Sequence, residues 1–234
     1  MAQRKATADS RNKRPRTTGA RATATPDAAN GTVRRRPRQS RAQHTARALQ
    51  EAFVHLLDEQ DYGSITIREI VLVAGTGLGS FYQYFASKED LARICLHLRS
   101  KALLGLLREA GATQAGATLT GVADAIVDAM IEAHRVHPTQ WGSHYLLERH
   151  LSGADAYRRM YDRFVDAWAA ALGAAADAPP TPQRLRELAR VSHTLIYGML
   201  AHTFIGTGGR PDLQALARQT RRALHGVLRP GDEG

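Results

Sequence analysis

Apolar residues recur at spacings of three and four along most of the chain from Thr45 onward, which is the period of an amphipathic α-helix. The first stripe consists of Ala46, Leu49, Phe53, Leu56 and Leu57, and residues 61–64 interrupt it. No segment predicts a β-strand. The pattern therefore indicates an all-α chain of about nine helices.

Glycine and proline separate the later helices. The predicted spans are short helices from Thr66 and from Gly77, a long helix over 87–107, a linker over 111–116, a helix from Leu119 to Pro138, and helices over 139–151, 157–172, 181–205 and 211–228. A helix from Thr45 to about residue 60 is followed closely by two short helices, and residues 42–91 are predicted to form a domain separate from the long helices after residue 91.

The first short helix has a local start signal. Thr66 stands three residues before Glu69, and this spacing predicts a capping box in which each side chain bonds the other residue's amide. The apolar residues of this helix, Ile67, Ile70, Val71 and Ala74, fall on one side. Gly75 follows where the chain must turn, in a left-handed conformation that glycine adopts at little cost.

The second short helix runs from about Gly77 to Tyr84. Phe81 and Phe85 are predicted to face inward, while the outward residues are Leu78, Gly79, Ser80, Gln83 and Tyr84, with Tyr82 on one flank. Two short helices joined at a glycine are typical of a helix-turn-helix, whose second helix enters the major groove of DNA. The alternative is a structural helical hairpin, with the two tyrosines as core residues.

The run from Thr66 to Leu91 resembles the signature of the TetR (tetracycline-repressor-like) family. The resemblance rests on Thr66-Ile67-Arg68-Glu69-Ile70, on Ala74-Gly75, and on the stretch from Gly79 through Tyr82, Tyr84 and Lys88 to Leu91. It covers about residues 45–91. One departure is Gly77, which stands where the family usually has a serine that caps the recognition helix.

The resemblance implies roles for individual residues. Thr66, Arg68, Tyr82, Tyr84 and Lys88 match positions that hold DNA phosphates, and Leu78, Ser80 and Gln83 match positions that face bases, with Gly79 among them on the outward side. It also implies a symmetric dimer and a ligand pocket in the C-terminal helices. Lys88 as a solvated charge is the alternative to its phosphate contact.

Charge is concentrated at the N-terminus. Residues 1–43 contain 12 of the 32 basic and 2 of the 22 acidic residues, and this segment accounts for the net charge of +10. It contains one valine and no aromatic residue, so residues 1–41 are expected to form a disordered basic tail. Such a tail suits a polyanion, and Arg34 to Arg38 lie just before the first helix.

The other composition signals are weaker. The only cysteine, Cys95, lies in an apolar helical pattern, which fits a core residue and a reducing, cytoplasmic compartment. The sequence contains no run of 18 apolar residues, so neither a membrane span nor a membrane partner is expected. The histidines have no spacing that favours a metal, so neither a metal site nor a cofactor is expected.

A second cluster of chemistry is predicted in the C-terminal helices. Aromatic and imidazole residues recur there among apolar ones, as a pocket for an apolar or aromatic small molecule requires. The candidates are Met130, His134, Trp141, His144, Tyr145, Tyr161, Phe164, Trp168, His193 and Tyr197. Each of them taken singly is more often a core residue, His134 above all.

The sequence thus predicts a sequence-specific DNA-binding transcriptional regulator, a repressor released from a palindromic operator by a small molecule. Residues 42–91 are expected to bind double-stranded DNA, and residues 92–230 to bind the ligand and to form a homodimer through the last two helices. One alternative is a sequence-neutral DNA compactor driven by the tail. An all-helical enzyme is a weak alternative, because no nucleophile, base and orienting group can be assembled.

Overall fold

The computed structural model describes residues 36–229, with side chains from Ser40 onward, and within this range it contains nine α-helices and no strand. The helices are α1 (Arg36–Glu59), α2 (Ile67–Val73), α3 (Leu78–Tyr84), α4 (Lys88–Thr113), α5 (Leu119–Arg135), α6 (Pro138–Leu151), α7 (Ala154–Gly173), α8 (Pro182–Gly206) and α9 (Leu213–Leu228). The predicted all-α class is confirmed. No helix in this range is long and apolar enough to span a bilayer.

Two predicted boundaries differ from the structure. Helix α1 begins at Arg36, ahead of the apolar stripe that starts near Thr45, so the last residues of the predicted tail are helical. The remainder of the tail, residues 1–35, lies outside the described residues. Helix α4 continues to Thr113, through the segment predicted as a linker, and only the end of that segment forms a turn.

The N-terminal helices enclose a small core of their own. Helix α1 contributes Leu49 and Phe53, α2 contributes Ile70, and the second short helix contributes Phe81, all of them fully buried. Leu91, Ala92 and Cys95 from the first turns of α4 complete this core. Burial raises the pKa of the Cys95 thiol to about 12, so it is a core residue without a thiolate at neutral pH.

A larger core lies among α4 to α9, with Trp168 of α7 fully buried in it. Helix α4 belongs to both cores, because Leu104 and Leu107 near its C-terminal end join the larger one. Helix α6 also belongs to both: Trp141 and Tyr145 lie in the larger core, and Leu147 and Leu151 lie in the smaller one.

Close packing explains why α4 passes through a glycine. A Cβ atom at Gly111 would lie 2.5 Å from the Cβ atom of Ala171 in α7, so the missing side chain lets the two helices touch. Gly105, on the exposed side of the same helix, has no atom within 4 Å of such a position. Gly111 therefore allows α4 and α7 to pack closely, whereas Gly105 has no such role.

We expect alanine to have opposite effects at these two positions. Gly105→Ala should raise the free energy of unfolding by about 0.5–1 kcal/mol, because alanine loses less backbone entropy in a helix. Gly111→Ala should lower it by about 1–3 kcal/mol, because the added methyl group forces α4 and α7 apart. Urea denaturation of both variants measures the difference, and equal effects would contradict the close approach at Gly111.

Candidate nucleic-acid interface and ligand cavity

The predicted capping box begins α2. The Thr66 hydroxyl accepts a hydrogen bond from the Glu69 amide at 3.2 Å, and the Glu69 carboxylate accepts one from the Thr66 amide at 2.7 Å. Gly75 follows with φ of 63°, the left-handed conformation predicted for the turn. Both local signals in the sequence are confirmed, and together they fix the direction in which α2 enters and leaves the turn.

Helix α3 has the inward and outward sides that its sequence predicts. Phe81 and Phe85 are buried, whereas the outward residues are half-buried at Ser80 and Tyr84 and exposed at Leu78, Gly79, Tyr82 and Gln83. Gly77 is the N-cap and provides no side-chain hydrogen bond, as the departure from the family pattern implied. The outward side of α3 is thus available to a groove of DNA.

The remaining predicted phosphate contacts lie close by in sequence. Thr66 and Arg68, at the start of α2, are exposed.

Leu72 and Val73, at the end of α2, are apolar residues that the domain leaves exposed, to 79% and 47%. No residue within the described range covers them.

Lys88 has a different environment from the one expected of a phosphate-binding residue. Its ammonium group donates hydrogen bonds to the carbonyl oxygens of Tyr62 at 2.7 Å and of Ile65 at 2.6 Å, and it lies 4.4 Å from the centre of the Tyr62 ring. Partial burial lowers the pKa of Lys88. Two of its three N–H donors are therefore engaged in holding the segment that leads into α2.

We expect Lys88→Met to lower the free energy of unfolding by about 2 kcal/mol, because two carbonyl groups lose a charged donor. Lys101→Met, an exposed substitution on the same helix, should change it by less than about 0.5 kcal/mol. Thermal or urea unfolding tests this pair. Equal stability of the two variants, with a uniform loss of DNA affinity in Lys88→Met, would instead favour the phosphate contact that the sequence suggested.

A cavity of about 70 Å³ lies within the larger core, with walls from α4, α5, α6, α7 and α8. Nine of the ten predicted ligand-binding residues line it: Met130, His134, Trp141, His144, Tyr145, Phe164, Trp168, His193 and Tyr197. Its volume is small compared with the 300–1,000 Å³ of typical ligand pockets. A larger ligand would require side chains to move.

His134 forms a satisfied and stacked part of the wall. Its Nδ1 lies 2.7 Å from the carbonyl oxygen of Met130, and its Nε2 lies 2.8 Å from the hydroxyl oxygen of Tyr145. Its ring stacks on Trp141 with the centroids 3.6 Å apart. The core-histidine interpretation is thus correct for its hydrogen bonds, although the same residue also lines the cavity.

Arg99 of α4 is the cation in the cavity wall. The carbon of its guanidinium lies 3.1 Å from the centre of the Trp141 ring, and its Nε is buried without a hydrogen-bond partner. Among the described residues, no carboxylate forms an ion pair with it. Burial lowers the pKa of Arg99 to about 9, so it stays charged at neutral pH.

Glu148 of α6 is the acidic residue in the same wall. Its Oε2 accepts a hydrogen bond from the Tyr197 hydroxyl at 3.0 Å. Burial raises the pKa of Glu148, and burial together with the nearby Glu148 carboxyl raises the pKa of Tyr197. The carboxylate therefore already has a donor, whereas the guanidinium lacks an acceptor.

A wider groove of about 640 Å³ adjoins the cavity and shares Leu96, Ser100, Glu148, Met160 and Phe164 with it. The groove lies between α4, α6 and α7. Its exposed rim is basic, with Arg93, His97, Lys101, Arg108, Arg159 and Arg163 among its lining residues. The cavity is therefore approached across a surface that favours anions.

Comparison with known proteins agrees with this geometry. Residues 50–94, which cover most of α1, both short helices and the start of α4, match the model of the family described as bacterial regulatory proteins, tetR family. The segment that contains both short helices therefore resembles this family. No curated protein sequence is significantly similar to the chain.

Solved structures of TetR-like regulators have the same fold over most of both chains. A TetR-family transcriptional regulator from Streptomyces coelicolor is 18% identical, with a TM-score of 0.58 over 81% of this chain and 99% of its own. A putative transcriptional regulator from Pseudomonas aeruginosa PAO1 is 18% identical, with a TM-score of 0.60 over 85% and 94%.

FadR from Bacillus subtilis, solved in complex with stearoyl-CoA, is 16% identical, with a TM-score of 0.59 over 76% of this chain and 96% of its own. These likenesses establish the fold of the region that follows residue 94. The chain is a DNA-binding transcriptional regulator.

The predicted ligand set needs one correction in this regulator. Tyr161 is not among the residues that line the cavity: its hydroxyl lies 2.9 Å from that of Thr194, and its ring lies 5.1 Å from that of His193. The sequence analysis missed Arg99 and Glu148, together with every lining residue of α4. An arginine within the apolar pattern of a long helix was the available signal.

The apolar stripes of α8 and α9 are less available for dimerisation than the sequence suggested. Six of the residues that form them are buried within the chain itself: Leu188, Ile196, Leu200, Leu216, Ala217 and Leu224. The residues left half-buried or exposed include Leu185, Val191, Leu195, Met199, Leu213 and Val227. The surplus apolar surface is therefore narrower than predicted.

Buried histidines should make the stability of the regulator depend on pH. Desolvation lowers the pKa of His193 from 6.5 to about 4, and burial lowers the pKa values of His134 and His144 to about 3. Below pH 6.5 the unfolded chain binds protons that the folded chain does not. The free energy of unfolding must then fall as the pH is lowered from 6.5 towards 4.

His193→Leu should make this decline shallower by about 1.4 kcal/mol per pH unit between pH 6 and 4.5, because one proton no longer binds on unfolding. His202→Leu, an exposed substitution on the same helix, is the control and should leave the slope as it is. Urea unfolding at several pH values measures both. A slope that His193→Leu does not alter would mean that His193 has the same pKa in the folded and unfolded states.

Proposed function

We propose that the regulator is a homodimeric repressor that binds a near-palindromic operator and leaves it when a small molecule occupies the cavity. The outward side of α3 is the observation that carries the operator half of this proposal. Two-fold symmetry would bring two copies of α3 to sites about 34–36 Å apart, one turn of DNA, or a multiple of that distance.

In this proposal residues 42–91 form the DNA-binding domain. Ser80, Gln83 and Leu78 face bases, and Thr66, Arg68, Tyr82 and Tyr84 contact phosphates. Because two donors of Lys88 already bond carbonyl groups, its main role is to hold the entry into α2. The basic tail adds affinity that is independent of sequence, and the regulator acts on DNA in the bacterial cytoplasm.

Residues 92–230 bind the effector and form the dimer through α8 and α9. The half-buried apolar residues of these helices, such as Leu195 and Met199, would become buried when two hairpins pair as a four-helix bundle. FadR from Bacillus subtilis provides a precedent for a small-molecule ligand on this fold, since it was solved with stearoyl-CoA. An apolar or aromatic effector suits the aromatic walls of the present cavity.

The two shared helices provide a route from the cavity to the DNA-binding domain. Arg99 lines the cavity, and Cys95, one turn earlier on α4, lies in the smaller core under the helix-turn-helix. Trp141 and Tyr145 line the cavity, and Leu151 at the end of α6 packs in that same core. A ligand that favours a different arrangement of α4 and α6 would change the spacing of the two copies of α3.

Selection of bound fragments from random DNA should yield an inverted repeat. Gln83→Ala should lower affinity for that sequence by about 1–3 kcal/mol and relax preference at one base step, because a base-reading amide is lost. Gln219→Ala, the same change at an exposed position of α9, should leave both unchanged.

The selection also separates this function from a DNA compactor. A compactor driven by the tail would enrich no sequence, and its affinity would not respond to Gln83→Ala. A consensus without inverted symmetry would reject the simple dimer.

A further inference from the structure

We propose that the effector is a carboxylate with a compact apolar or aromatic body, and that the guanidinium of Arg99 binds its carboxylate inside the cavity. This rests on the proposed function only in taking the cavity for the effector site. The regulator would then distinguish its effector by charge as well as by shape.

The way in which Arg99 is held leaves its bonding groups free. The Trp141 ring covers one face of the guanidinium, and Trp141 is itself stacked on His134. Stacking uses the face of the group, whereas its N–H donors point outward in its plane. The Nε of Arg99 is buried without a hydrogen-bond partner, so the edge of the planar fork that can bind a carboxylate through two parallel bonds has an unused donor.

Arg99 is half-buried and forms no direct ion pair among the described residues; burial lowers its pKa, and the charge of the nearby Glu148 partly opposes this. The partial desolvation of a cation without a directly bonded anion lowers stability, which makes a purely structural role for Arg99 costly. Its stacking on Trp141 offsets part of this cost, but methionine could fill the same space without a charge. A ligand with a carboxylate would supply this anion and offset the cost of desolvating Arg99. It would do so inside a largely apolar cavity, where an ion pair with two hydrogen bonds is stronger than in water.

The other groups that face the cavity favour an anion over a cation. Burial keeps His134, His144 and His193 neutral at pH 7, because it holds their pKa values at about 3 to 4. Glu148 already accepts the Tyr197 hydrogen bond, and burial raises its pKa. A cationic ligand would have to displace Tyr197 and approach Arg99, whereas an anionic ligand meets an unused donor.

The charge of the surface beside the cavity also favours an anionic ligand. The groove shares five residues with the cavity, and its exposed rim carries Lys101, Arg108, Arg159 and Arg163. None of these four forms an ion pair with another described residue. Clefts lined by one sign of charge raise the local concentration of the opposite ion.

The test uses three carboxylates, each compared with the amide and the amine of the same carbon skeleton. The probes are benzoate, 3-phenylpropionate and hexanoate, and binding to the full chain is measured by calorimetry and by quenching of tryptophan fluorescence. At least one carboxylate should bind ten times or more as tightly as its amide. The corresponding amine should bind more weakly than the amide, because it meets the charge of Arg99.

Variants of Arg99 should remove this preference. Arg99→Met should bring the affinity ratio of carboxylate to amide close to one, and Arg99→Lys should give an intermediate ratio, because it keeps the charge and loses the fork. Arg99→Met should unfold at a temperature no lower than that of the wild type, since it removes a partly desolvated charge without a directly bonded anion. Arg218→Met, an exposed substitution on α9 that lies outside both the cavity and the groove, should leave the ratio at the wild-type value.

The proposal is overturned if none of the three carboxylates binds, if each binds no more tightly than its amide, or if the preference survives in Arg99→Met. DNA binding by the same variants keeps this outcome separate from the proposed function. Operator binding that persists in Arg99→Met, without any preference for carboxylates, would reject the anionic effector alone. Failure of the wild type to select any operator would reject the repressor, whatever the probes do.

Discussion

The continuity of α4 is the constraint on which the rest of the structure depends. Its first turns complete the core under the helix-turn-helix, and its later turns form part of the larger core around the cavity. A helix is stiff over this length, because each turn is bonded to the next. Cavity and DNA-binding surface are therefore joined by one rigid element, and the close contact of Gly111 with α7 fixes its far end.

Helix α6 is a second connection between the cavity and the smaller core. Its aromatic residues Trp141 and Tyr145 line the cavity, while Leu147 and Leu151 pack under the DNA-binding domain. Helices α4 and α6 both contribute to the cavity wall and to the smaller core. A change in what the cavity contains can therefore displace one helix relative to the other. Arg99 and Glu148 lie in that wall, one on each helix. The two charged residues of the cavity wall therefore lie on the two helices that also contribute to the smaller core.

The same comparison explains why Lys88 and Arg99 differ, although both are cations of α4. Lys88 finds two carbonyl oxygens at the entry into α2 and contributes to the fold there. Arg99 finds an aromatic face and no described acceptor, so its donors remain available. Their neighbours across the fold therefore differ: Lys88 has two carbonyl acceptors, whereas the Nε of Arg99 has none among the described residues.

The sequence by itself determined the parts that depend on near neighbours. The capping box at Thr66, the left-handed turn at Gly75 and the inward pair Phe81 and Phe85 follow from interactions within a few residues. Nine of the ten candidates chosen from the aromatic and imidazole residues of these helices line the cavity. Only the tertiary structure showed the contacts of Lys88, Arg99 and Gly111 and the position of Tyr161 outside the cavity lining. Each of these depends on side chains from another helix, and no pattern along a single helix specifies which partner its residues will meet.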